Sequence, residues 1–371
     1  MFETAELTRS ASAGPQHSAS VESIQFLRFL AAMAVVLFHG HQASTAHIYQ
    51  GLGYIFDMGA AGVHVFFVIS GFVIMYTSYG SGDAGMPTVR FLLKRFVRIF
   101  PIYWICCVAY VVYQNTFGTG YNLPLATWIG AIFLMPGDSS RIIGPGWTLS
   151  FELFFYLSFA TILRLRALTA IALLTCLFIA TIAVGFLIRF PGLLRIAHNP
   201  LILEFIAGCW LAYFYGRIRF GTFGLGIAAV CTGIALFVAG ALLDYREIPL
   251  FIVWGVPSVF IVGGALMMEQ SGRLPKSVKR LGRLGDSSYA LYLIHVLIIS
   301  IALDIGLRGI VPLPPAQAIG MTFIFAVICG VLAAAIFEFL ERPLLGWLRR
   351  NVVDRFSGRA SRIARLEPAK S

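Results

Sequence analysis

The sequence predicts an all-α, polytopic membrane helical bundle of about ten transmembrane helices, with both termini cytoplasmic. Three observations carry that expectation. Hydrophobic residues make up 58% of the 371 residues, mean hydropathy is +0.83 and charged residues are only 12%, against about 25% in ordinary soluble domains. Apolar runs of span length recur along the chain, several of them without a charge, as in Ala167–Ile188 and Phe220–Leu243; about 20 residues suffice to cross a bilayer. Basic residues collect between those runs on alternate sides, which is how the positive-inside rule orients helices. The net charge of +11 would point a soluble chain towards nucleic acid, but here it is topogenic, and no nucleic-acid partner is expected.

Taken in order, the first 20 residues hold Glu3 and Glu6 and no apolar run. Residues 1–23 read as a cytoplasmic tail, and the first span as its own uncleaved anchor. Hydropathy then marks spans at 24–42, 54–78, 97–116, 146–163, 167–188, 199–215, 220–243, 248–268, 287–306 and 312–341. Leu123–Pro136 is apolar but short, and suits a re-entrant or interfacial helix better than a crossing. That choice flips every later loop, and charge decides it. With ten spans, 22 of the 28 Lys and Arg fall inside, including Arg90, Lys94, Arg95, Arg98 and the cluster from Arg273 to Arg283. Five fall outside: Arg141, Arg189, Arg195, Arg246 and Arg308. Eleven spans would export the richest downstream clusters. Residues 346–371 form a basic cytoplasmic tail. The six cysteines show neither disulfide nor zinc spacing and read as small buried hydrophobes, so no metal site is expected.

The first span carries the chemistry. In SIQFLRFLAAMAVVLFHGHQ, Arg28 and His39 are eleven residues apart, which returns to within about 20° of one helix face and separates them by about 16 Å. Ionisable residues inside lipid face a protein interior or a wet cavity and mark function by default. Counting inwards from the outer surface, assumed at Gly146, places Glu152 at the depth of His39, as its orienting partner in general base catalysis. His41 points about 200° away from His39 and reads as a wet surface histidine. His64 is a weaker case, and so is His295, which follows Tyr289 and Tyr292 and has a packing role as its bland alternative. In the loop before span three, Arg95 and Arg98 share a face at i, i+3. Topogenic charge explains them by composition alone; paired guanidiniums also suit phosphate groups. The run from Gly62 to Phe72 sets small residues beside aromatics, a pattern for close helix approach.

Several motifs stand in a fixed order: Arg28-(ten residues)-His39, the Gly62-Val-x-x-Phe-Phe run, Arg95-x-x-Arg98-Ile-x-Pro101 and Trp147-Thr-Leu-Ser150-x-Glu152-x-x-Phe155-Tyr156. Leu284-Gly-Asp-x-Ser-Tyr289-x-Leu-Tyr292-Leu-x-His295 and Glu341-Arg342-Pro343 follow. Together they resemble the membrane-bound acyltransferase family 3, which includes O-acetyltransferases of exopolysaccharide, O-antigen and Nod factor. The resemblance covers residues 24–345, read as the membrane acyltransferase domain. It implies a multi-pass enzyme of the bacterial inner membrane. The acyl group, an acetyl group in most members, would move from cytoplasmic acyl-CoA to a hydroxyl of a cell-surface or lipid-linked glycan. His39 maps to the essential histidine with Arg28 as its partner, and Arg95 and Arg98 map to the family's arginine pair, read as the acyl-CoA site. Glu152 joins the catalytic set; Trp147, Ser150, Tyr156 and His295 are carried as acceptor or pocket residues. His64 departs from the family, which more often has an acidic residue there. Acetyl-CoA would be a co-substrate rather than a resident cofactor. The partners implied are the donor, the glycan, the bilayer and other exopolysaccharide biosynthesis proteins. A covalent acyl-histidine is the lesser mechanistic variant. Two other classes remain open at this point: a flippase or transporter of a lipid-linked sugar, and a non-catalytic subunit of a polysaccharide-export complex.

Overall fold

A computed structural model of the chain describes residues 21–47, 56, 58–118, 120–188, 190–219, 222–242, 248–306 and 315–356. Most of the expected N-terminal tail, the end of the C-terminal tail, and Arg189, Arg246 and Arg308 lie outside them. Among the described residues there are helices and turns but no strand. The α-helices are α1 (Glu22–His47), α2 (Gly62–Tyr79), α3 (Thr88–Thr116), α4 (Leu125–Ile132), α5 (Trp147–Ile162), α6 (Ala167–Gly185) and α7 (Ile202–Tyr215). They continue with α8 (Phe223–Leu242), α9 (Val256–Gln270), α10 (Lys276–Gly282), α11 (Ser288–Gly306), α12 (Pro315–Ile336) and α13 (Arg342–Leu348). Among the described residues, eight helical stretches are long and apolar enough to cross a membrane. The helices α5 and α7, of 16 and 14 residues, sit among them and fall short of about 20 residues on their own. The chain is an all-α membrane bundle.

Helix α4 has eight residues, about 12 Å of rise, and is too short to cross. It is held against α3, where the Tyr103 hydroxyl donates to the Ala131 carbonyl at 2.7 Å and the Trp104 indole to that of Ile132 at 3.1 Å. Two boundaries differ from expectation. The segment with Lys94, Arg95 and Arg98, expected as a loop, is already helix: Pro87 is the N-cap, and Pro101 is accommodated inside 29 continuous residues. The last helix runs through π-turns at Phe337–Glu341 and Arg349–Asp354 to residue 356 and packs back on α3. It therefore extends eleven residues into the segment read as a tail, which begins at 346.

Helix α1 is the hub, packing against α2, α9, α10, α11 and α12, with Ala32, Val35 and Val36 each 1% exposed. Its N-terminus leaves amide donors without an intrahelical acceptor, and the Glu269 carboxylate takes two of them. Glu22 N and Ser23 N donate to its oxygens at 2.8 and 2.9 Å. The helix that carries Arg28 and His39 is thus fixed at its start by an anion on its positive end. Helices α2 and α7 meet through reciprocal glycines. A Cβ on Gly71 would lie 1.9 Å from the Phe205 carbonyl oxygen, and one on Gly208 would lie 2.0 Å from that of Val68. No larger residue permits that approach. Phe67 and Phe155 stack on Phe205 at 4.6 and 4.8 Å, tying α5 to this pair. Outside the spans, Asp83 bonds Arg166 and Arg217 at 2.9 and 2.8 Å. These bonds hold its carboxyl below the usual range. All six cysteines are free thiols; Cys176 and Cys231 lie on the outside of the bundle rather than in its core.

Candidate active site

The helices α1, α2, α3, α5 and α11 enclose a cavity of about 270 Å³. Arg28, Arg95 and Arg98 line it together with Glu152, Tyr156 and Tyr289. Because α3 is helical here, Arg95 and Arg98 project from one face. The Arg95 guanidinium lies over the rings of Phe91 and Tyr156, 5.2 and 5.4 Å from their centroids, and donates to Thr77 Oγ1 at 2.8 Å. Arg98 lies 5.7 Å over Tyr289. Aromatic faces hold both cations without neutralising them, so their remaining donors stay available to an anion. Glu152 accepts from the Tyr156 hydroxyl and from Ser70 Oγ.

Another part of the cavity wall is Thr148 and Tyr292. Their hydroxyl oxygens are 3.0 Å apart, and both reach the Pro145 carbonyl, at 3.0 and 3.4 Å. The Tyr292 ring is 5.9 Å from that of His295, and His295 meets His39. His39 Nδ1 lies 3.0 Å from His295 Nε2 and 3.1 Å from the Val35 carbonyl, while His295 Nδ1 lies 3.1 Å from the Leu291 carbonyl. A carbonyl only accepts. In the neutral pair, His295 therefore carries its proton on Nδ1 and accepts through Nε2. His39 must then donate from Nδ1, which leaves its Nε2 with a free lone pair. Two backbone carbonyls thereby fix both tautomers, and His39 presents a base nitrogen.

The structure gathers Arg28, Arg95, Arg98, Glu152 and Tyr156 at one cavity and pairs His39 with His295 beside its Tyr292 wall. Three expectations are corrected. Glu152 is not the partner of His39; it stands in the arginine layer with Tyr156 and Ser70. Counting depth from Gly146 misplaced it, because Thr148, one turn before it on α5, is already level with Tyr292. Pro145 and Gly146 are buried, and Tyr292 is one turn from His295. Trp147 and Ser150 do not reach the cavity: Thr148, Glu152 and Tyr156, spaced by four, form the inward stripe of α5. Trp147 instead meets Phe67 and Phe151, and Ser150 bonds Ser139 at 2.9 Å. His41 is not a surface group but 4% exposed, stacked 4.5 Å from Phe56.

Sequence reasoning also missed a buried pair, His64 Nδ1 to Glu204 Oε1 at 2.7 Å, which joins α2 to α7. It makes His64 a packing group satisfied by a carboxylate. Tyr292 and Thr148 had a legible signal in retrospect, since each is one turn from a residue already singled out. Among the described residues no group of three His, Cys, Asp or Glu side chains is arranged to hold a metal ion.

The family described as "Acyltransferase domain" matches residues 21–337. The chain is 32% identical over 331 residues to the exopolysaccharide production protein ExoZ of Rhizobium meliloti (strain 1021), covering 85% of this chain and 99% of that one. It is 26% identical to the acyltransferase MdmB of Streptomyces mycarofaciens, over 77% and 80% of the two chains. It is 25% identical to nodulation protein 10 of Rhizobium leguminosarum bv. viciae, over 90% and 95%. No solved structure matches.

Proposed function

The chain belongs to the acyltransferase family, and on that premise we propose that it moves an acetyl group from cytoplasmic acetyl-CoA to a hydroxyl of a cell-surface or lipid-linked polysaccharide. The observation that carries the reading is the cavity itself, with three arginines at its wall and a tautomer-fixed histidine pair beside Tyr292. Arg95 and Arg98 hold donor phosphates through charge-assisted bonds. Arg28 lines the donor's route along α1, about 16 Å short of His39. Tyr292 and Thr148 form the cavity wall beside the histidine pair. His39 Nε2 removes the acceptor hydroxyl's proton as the oxygen attacks the thioester carbonyl. The C–S bond then breaks, and the proton passes from His39 to the departing sulfur, giving the free thiol and the O-acyl ester. The dry bundle limits loss of the thioester to water. The polysaccharide acceptor is drawn from the relatives named for exopolysaccharide production and nodulation.

The same reading takes α5 and α7 as two short crossings, giving ten spans with both termini on the cytoplasmic face of the inner membrane. Reporters fused after Arg164 and after Arg283 should then both read cytoplasmic, and a periplasmic signal from both refutes the topology. The function itself is tested with the purified protein in lipid nanodiscs, radiolabelled acetyl-CoA and extracted glycan. Label should enter the glycan as an alkali-labile ester. Mass spectrometry of surface glycans from a deletion strain should show the matching loss. A glycan carrying its full complement of acyl groups in that strain refutes the assignment, and altered sugar export without acyl loss points to a transporter.

A further inference from the structure

Arg28 lines the cavity, but its direction is set by residues that do not. Its Nη1 donates to Oε1 of Gln25 at 2.9 Å, and the Nε2 of the same amide donates to Oδ1 of Asp286 at 2.5 Å. Chemistry fixes that amide without ambiguity: a guanidinium only donates and a carboxylate only accepts, so one orientation of Gln25 satisfies both. Asp286 reaches α1 because its neighbour Gly285 packs directly on the helix; a Cβ there would lie 2.1 Å from the Gln25 carbonyl oxygen. Asp286, Glu152 and Glu341 attract Arg28 from different elements, while Arg98 repels it. A hydrogen bond to Gln25 selects one direction among these competing pulls.

We propose that Gln25 and Asp286 are positioning residues for Arg28, a relay in which the carboxylate holds the amide and the amide holds the guanidinium at the cavity. Its kinetic consequence rests on the acyl-transfer reading above: a loosened Arg28 impairs use of the donor before it impairs turnover.

The test moves the negative charge one step along the relay. Asp286→Asn removes the charge but keeps a side chain of the same shape. Gln25→Glu removes the amide donor and sets a second carboxylate against Asp286, a pair of like charges. The double variant Q25E/D286N restores a complete relay of reversed polarity, in which the carboxylate introduced on α1 accepts from both Arg28 and the new amide. Each single variant should raise KM for acetyl-CoA by roughly five- to tenfold, with a smaller change in kcat. The double variant should recover most of that loss. In an Arg28→Ala background neither substitution should change transfer further. A double variant no better than the worse single one, or effects that multiply in the Arg28→Ala background, overturns the relay and leaves both residues as fold contacts. Unfolding midpoints in detergent run the same cycle without turnover. If the wild type transfers no acyl group from any donor, the acyl-transfer reading fails on its own. The midpoints then decide the relay: recovery in the double variant that is lost in the Arg28→Ala background supports it, and additivity, or recovery that persists there, removes it.

Discussion

His39→Gln should cut acyl transfer at least a hundredfold at every pH while the protein inserts and folds at wild-type levels. This result is expected because the substitution removes the titratable nitrogen and keeps a polar side chain that can still bond His295 or the Val35 carbonyl. A positioned general base is worth about 10²–10⁴ in rate, so the residual rate should be at or below one hundredth of wild type. His295 should behave differently. It is fully buried and its Nε2 accepts a hydrogen bond from His39 Nδ1 at 3.0 Å, so it acts on orientation and tautomer rather than on substrate. His295→Gln offers an acceptor near the same place and should keep more activity than His295→Ala, in which only the Val35 carbonyl remains to hold the ring. His41→Ala supplies the control: it lies on the same helix but stacks on Phe56, and should retain most of its transfer rate. Expression must be matched, because a buried group left without its partner costs about 1–3 kcal/mol of stability. Near wild-type transfer by His39→Gln assigns His39 to packing and leaves the base elsewhere.

Much of this arrangement was legible in the sequence because it depends on one helix at a time. Hydropathy found the eight stretches long and apolar enough to cross among the described residues, length kept α4 from crossing, and an i, i+3 spacing put Arg95 and Arg98 on one face. The regular α1 places Arg28 and His39 on one side as expected. What failed required knowing where one helix sits against another. Glu152 was assigned a depth from an assumed surface, and the packing of Thr148 on Tyr292 sets it one turn further on, in the arginine layer. The His39–His295 and His64–Glu204 contacts join residues 256 and 140 positions apart. No local pattern encodes such pairs. The relay through Gln25 was equally silent, because a glutamine on the first turns of a span has no signature until Asp286 is brought to it. The resemblance to a family supplied His39 and the arginine pair but not their partners, and those partners determine which nitrogen is basic and which way Arg28 points.

Replacing both Arg95 and Arg98 with Gln should raise the apparent KM for the acyl donor by two orders of magnitude or more, with membrane insertion unchanged. Each guanidinium bonded to a charged partner contributes about 1.5–3 kcal/mol, and a loss of about 1.4 kcal/mol is a tenfold weakening. Two such contacts therefore reach a hundredfold without any change at His39. The fold should tolerate the change, since neither arginine is paired with a carboxylate; they rest on Phe91, Tyr156 and Tyr289. Replacement by Lys separates charge from shape. Lysine keeps the positive charge but loses the planar fork and its stacking, so the double Lys variant should fall between wild type and double Gln. Salt gives an independent check. Screening shortens from about 10 Å at 0.1 M to about 3 Å at 1 M ionic strength, so donor KM should rise with salt in wild type and respond little in the double Gln variant. Topogenic charge alone predicts otherwise: donor saturation and its salt dependence would be the same in both proteins, and only the fraction correctly inserted would fall.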